Sequence, residues 1–164
     1  MGSRRTWITT DIWMDEPFQE ASQDEKLLWF YLMTSPFSNS SGFYRLTKNY
    51  VEFALGQGFG ELLTRPSKFY KYDEDTSQVF LPNYLHYNKA SSPQQFTAIA
   101  SSLDNLKLCP LFKDFFLSMR RWCGTKGFQY LSEPTKRYLT YLIEIETDTK
   151  DKILLKDILD NLSQ

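Results

Sequence analysis

Residues that bind soft metals or build disulfide frameworks are scarce in this chain: two cysteines, Cys109 and Cys123, and one histidine, His86, in 164 residues. That scarcity excludes a Cys/His zinc site and leaves both thiols to be read as reduced core residues. Long apolar runs are missing too. None approaches the roughly 20 residues of a bilayer span, and the N-terminus lacks the basic-then-apolar pattern of a secretory signal. A cytoplasmic protein without a membrane partner is therefore expected. Neither sign of charge is in excess, with 19 basic residues against 20 acidic, which argues against nucleic-acid binding by bulk charge alone. Catalytic constellations are equally sparse. The glycines of Gly56-Gln57-Gly58-Phe59-Gly60 lack the following Lys-Ser/Thr and the preceding strand of a phosphate-binding loop. His86 has no serine or cysteine partner nearby and is read as a packed histidine. Asp11, Asp15 and Glu16 recur with no further acid or histidine at useful spacing, which gives them capping and surface roles. No enzyme, metal or cofactor is expected.

Aromatic residues, by contrast, are dense between Phe18 and Tyr87 and are interleaved with small turns, a pattern for short elements round a small core. Ser22 and Glu25 form a capping-box signature before a helix whose buried face is expected to carry Leu27, Leu28, Tyr31 and Leu32, with Pro36 ending it. Gly42 to Leu46 reads as a short strand. Thr47 is a cap for a second helix carrying Tyr50, Val51, Ala54 and Leu55 and stopped by Gly56. A weak third helix fits Phe59 to Thr64 before Pro66. The β-prone runs Lys68 to Tyr72 and Gln78 to Pro82, joined by a polar loop, give a hairpin. Helix, short strand, helix, helix, hairpin is the connectivity of a winged helix.

Beyond Tyr87 the pattern turns helical. Ser92-Pro93 opens a helix with Phe96, Ile99, Ala100 and Leu103 on one face, and Cys109 to Trp122 forms another, stopped by Gly124. Residues 125–131 read as a linker. Ser132 precedes a helix start at Glu133-Pro134, whereas Tyr138 to Ile145 fits helix or strand. Thr149 is placed as the cap of a last helix. The expected fold class is α+β and mostly helical: a winged helix-turn-helix with a β-hairpin wing over 1–90, followed by a helical region over 91–164, the two packed as one unit or separate.

The motifs Ile12-Trp13, Asp15 and Phe18, Ser22, the Leu27-to-Leu32 aromatic helix with Thr34 and Pro36, Asn39, Gly42-Phe43-Tyr44 with Leu46, the hairpin, Asn83-Tyr84, Asn88 and Ser92-Pro93 together resemble the phage replisome organisers. These are also called DnaD-like replication initiators, and the likeness spans about residues 5–120. It implies a winged helix that binds duplex DNA and a following region that contacts other replication proteins, the replicative helicase among them. On this chain it implies DNA contacts from an N-terminal arm (Arg4, Arg5), from the end of the third helix (Arg65) and from the wing (Lys68, Lys71).

Only eleven residues, Gln57 to Ser67, separate Gly56 from the hairpin, and Gly58, Gly60 and Pro66 are among them. Glu61 offsets Arg65, and the wing tip is Asp73-Glu74-Asp75. A second reading from a different class therefore stands beside the first: a winged-helix-derived adaptor or inhibitor of a host protein that has lost DNA binding. Residues 113–137 hold six basic groups against two acidic. Arg120, Arg121 and Lys126 within them are candidates for a partner protein, although cations near a helix C-terminus also suit its dipole.

Overall fold

The computed structural model describes residues 5–162. A 3-10 turn, Thr10–Met14, and a short helix α1 (Glu16–Glu20) lead into α2 (Gln23–Thr34). Next come β1 (Phe43–Arg45), α3 (Lys48–Leu55), α4 (Phe59–Thr64), β2 (Lys71–Asp73) and β3 (Gln78–Phe80). The helices α5 (Tyr84–Tyr87), α6 (Pro93–Leu103) and α7 (Leu111–Cys123) follow. After a second 3-10 turn, Lys126–Tyr130, the chain continues with α8 (Glu133–Ile145) and α9 (Thr149–Leu162). The protein is thus α+β and mostly helical, with one small antiparallel sheet.

Local chemistry explains most of these boundaries. Ser22 caps α2 through a complete capping box, its hydroxyl accepting from the Glu25 amide at 3.2 Å while the Glu25 carboxylate accepts from the Ser22 amide at 2.9 Å. Ser92 and Gln95 do the same for α6, with Pro93 at its first position. Gly56 and Gly124, both at positive φ, close α3 and α7.

The sheet order is β1-β3-β2, so β3 is central and pairs with both neighbours. Phe43 and Phe80 are register partners and share one face. That face is covered by α7, with Phe43 to Phe112 at 5.0 Å and Phe80 to Phe115 at 6.0 Å between ring centres. Tyr44 points the other way, and its hydroxyl donates to the Leu32 carbonyl of α2 at 2.7 Å. Aromatic packing then runs outward from α7 to Tyr138 of α8 and to Phe128. Buried side chains from Ile12 to Ile158 accordingly form one continuous cluster.

Several expectations need correction. Residues 125–131 are no linker. Phe128 is fully buried, and Gly127 is seated so tightly that an added Cβ would lie 2.3 Å from Met119 and 2.6 Å from Phe96. Of the two forms left open for Tyr138 to Ile145, the helix is the one adopted, inside α8. The α9 cap is Asp148 and not Thr149, since its carboxylate accepts from the Asp151 amide at 2.9 Å. In α2 the buried face is Leu28, Trp29, Leu32 and Met33, whereas Leu27 is half exposed. Among the described residues no helix is long and apolar enough to cross a membrane.

Candidate functional site

Two surfaces carry most of the residues singled out from the sequence. The first is built by α3, α4 and the β2–β3 hairpin. Helix α4 starts from Gly58 in the left-handed region, buries Leu63 and Gly60, and holds six residues, of which Glu61 alone is charged. Its close approach to α3 is enforced at Gly60, where an added Cβ would meet the Glu52 carboxylate at 2.9 Å. The Tyr70 hydroxyl donates to the Leu62 carbonyl at 2.8 Å and ties the segment before β2 to α4. Burial pushes the Tyr70 phenol up to about 12. Arg65, the C-cap of α4, and Lys68, just before β2, are both exposed.

The hairpin turn is closed by Asp73, whose carboxylate accepts from the Thr76 amide at 3.0 Å and from the Thr76 hydroxyl. Glu74 is answered by Lys48 of α3 at 2.9 Å, and Lys48 also lies 3.8 Å from Glu61. The hydrogen bond that Lys48 donates to Glu74 raises the Lys48 pKa above the ordinary lysine value. Lys48 thus partly neutralises the acidic tip, a role missed in the linear reading because 26 residues separate the two.

The second surface is a cleft of about 460 Å³ between the hairpin, α7 and α9. It brings together candidates from two groups: Lys71 of the hairpin with Arg120 and Arg121 of α7. Lys150 of α9 joins them. Two of these cations are already paired, Lys71 with Asp114 at 2.5 Å and Arg120 with Asp157 at 2.7 Å. Lys113 bridges Glu146 at 2.8 Å and Asp151 at 3.2 Å, fastening α7 to both ends of the α8–α9 connection. Those bonds raise the Lys113 pKa and lower that of Glu146, with the hydrogen bond between them the leading cause for each.

Elsewhere, Arg5 is exposed and lines a different cleft, of about 560 Å³, with Trp7, Tyr87, Lys89 and Gln94. Asn88 holds this N-terminal segment, accepting from the Trp7 amide at 2.9 Å and donating to its carbonyl at 3.3 Å. Arg4 lies outside the described residues. Lys126 is exposed at the start of the second 3-10 turn and does not line the 460 Å³ cleft.

Of the aromatics considered for base stacking, Trp29, Phe43, Tyr44 and Tyr70 are buried, while Trp7 and Trp13 are 68% and 57% exposed. His86 is exposed and not packed in the core. Its ring lies 4.2 Å from that of Trp122, centre to centre. Both cysteines are free thiols, pushed up by burial and so poor nucleophiles. Among the described residues no group of three or more His, Cys, Asp or Glu could hold a metal ion.

Comparison of the chain with protein-family models, with curated proteins and with solved structures finds no match.

Proposed function

We propose that the part of the chain before α6 is a winged helix and that the protein is a phage-type replication-initiation, or replisome-organiser, protein of the cytoplasm. In this reading it is not an enzyme. It binds duplex DNA through the winged helix and a partner, a replicative helicase or another replication protein, through its helical second half. The observation that carries the reading is topological: α2, β1, α3, α4 and a β2–β3 hairpin follow in that order, with β1 completing the sheet against β3. In such an arrangement α4 addresses the major groove and the hairpin lies beside phosphates. Arg65 and Lys68 sit at that junction with their side chains exposed.

A second reading, a protein-binding adaptor or inhibitor of a host protein, is favoured by one specific feature. Helix α4 has six residues and no cation, whereas specific duplex binding uses several Lys or Arg contacts.

Titration of the protein into mixed-sequence duplex across a salt series separates the two. Binding that weakens steeply with salt supports the DNA reading, and Arg65→Ala/Lys68→Ala should reduce the salt slope by about 2. No binding at low salt sinks it and leaves the adaptor reading.

A further inference from the structure

The cleft between the hairpin, α7 and α9 carries chemistry that duplex recognition does not use. Phe80, Leu117 and Leu154 contribute apolar surface to its lining, and four cations line it as well. Lys71, Arg120, Arg121 and Lys150 stand there against two carboxylates, Asp114 and Asp151. Lys71 and Arg120 are held by ion pairs, the latter through Nε. Arg121 and Lys150 are exposed and make no ion pair among the described residues. The cleft, about 460 Å³ in all and within the usual size range for binding pockets, therefore offers two positive charges that no carboxylate among the described residues neutralises, Arg121 resting on the Trp122 ring and Lys150, beside apolar side chains.

We propose that this cleft docks an acidic, amphipathic peptide segment of a partner protein. Its carboxylates pair with Arg121 and Lys150, and an apolar side chain lies on Leu117 and Leu154. Charge complementarity selects an acidic ligand. Two observations favour a peptide over single-stranded nucleic acid. Base binding in such grooves uses an aromatic platform, but Trp122 is already in contact with His86 at 4.2 Å and with the Arg121 guanidinium at 5.3 Å. Moreover, Asp114 and Asp151 line the same cleft. A phosphodiester chain carries a charge at every nucleotide and would meet them, whereas a peptide can place its carboxylates only where the cations are.

This inference rests on the partner-binding half of the proposed function and is independent of DNA binding. It is tested by fluorescence anisotropy with a labelled amphipathic leucine/glutamate peptide, an all-glutamate peptide of equal length, and oligo-dT. Saturable binding of the amphipathic peptide is expected, weaker by about tenfold or more in Arg121→Glu/Lys150→Glu. Arg137→Glu, an exposed cation on α8, should leave it unchanged. Circular dichroism on each variant verifies that the fold is retained.

Absence of saturable binding overturns the proposal. So does equal affinity for the all-glutamate peptide, which would reduce the effect to bulk charge, and so does tighter binding of oligo-dT to the same cations. Capture of a replication protein that is insensitive to the double variant would uphold partner binding and overturn this cleft as its site. Peptide binding that persists while duplex binding is absent would remove only the DNA half of the proposed function.

Discussion

The side chain of Gln78 clasps the backbone of Lys107: its Nε2 donates to the Lys107 carbonyl at 2.9 Å, and its Oε1 accepts from the Lys107 amide at 2.7 Å. Gln78 lies at the start of the central strand and is 1% exposed, and the clasp joins the sheet to the loop before α7. Gln78→Ala would strand two backbone groups, at a cost of about 1–3 kcal/mol for each left unsatisfied. Urea unfolding should show a lower midpoint. An unchanged midpoint would mean that water replaces the clasp without loss.

Gly42 has φ +69°, and a Cβ there would lie 2.4 Å from the Tyr84 side chain. Gly42→Ala therefore combines a left-handed backbone with a clash against a buried ring, and should destabilise by more than about 2 kcal/mol. A thermal melt reads this as a drop of several degrees. Gly56→Ala, where nothing lies within 4 Å of the added atom, should cost less.

Stability should depend on pH at both ends of the scale. The Tyr70 phenol is raised by burial from its ordinary 10.0 to about 12. Its contribution is therefore complete below about pH 10 and is lost as the pH rises toward the folded value. Tyr70→Phe should flatten this alkaline loss in a series of denaturation midpoints. Glu146 behaves oppositely, because the Lys113 hydrogen bond lowers its pKa. Its contribution is present above the ordinary carboxylate range and lost as pH falls through the lowered value. Glu146→Gln should remove that acid-side component, and an identical acid profile in the variant would show that the pair is not coupled to folding.

Asp114 holds Lys71 at 2.5 Å and so withdraws a hairpin cation from any phosphate. If the hairpin lies on DNA, Asp114→Asn should tighten duplex binding at low salt and steepen the salt slope by up to about 1, the signature of one added phosphate contact. Unaltered affinity and slope would take Lys71 out of the DNA surface.

Much of the fold was legible where the signal is local. The capping box at Ser22 and Glu25, the stops at Gly56 and Gly124, the span Phe59–Thr64 for α4 and the opening of α6 at Ser92-Pro93 all appear as read from the sequence. The misreadings fall where a residue's role depends on distant neighbours. Phe128, Tyr130 and Leu131 are too few and too irregularly spaced to show a period, yet Gly127 lets their turn sit against α6 and α7, and Phe128 and Leu131 are buried. For Tyr138 to Ile145 the sequence leaves a choice and not a misreading, because β-branched residues suit helix and strand alike until α8 packs on α9. Thr149 and Asp148 are both capable capping side chains one position apart, and only the folded geometry brings the Asp148 carboxylate to the Asp151 amide.

The site was legible only as a set of cations. Arg65 and Lys68 are exposed, as a DNA surface requires, but pairing removes Lys71 and Arg120 from the free set. Their partners, Asp114 and Asp157, are 43 and 37 residues away. No spacing rule reaches across such intervals.

The sequence alone determined the order of elements and most of their ends, because caps, glycine stops and apolar periodicity act within a turn or two of chain. Tertiary structure decided which charges stay available, that residues 125–131 enter the core, and that Lys71, Arg121 and Lys150 border one cleft. The cleft depends on packing Phe43 and Phe80 against Phe112 and Phe115. That contact draws the sheet and α7 together, while the Lys113–Asp151 and Arg120–Asp157 ion pairs fix α9 to α7, and the energy of the contact comes from burying apolar surface between segments far apart in the chain.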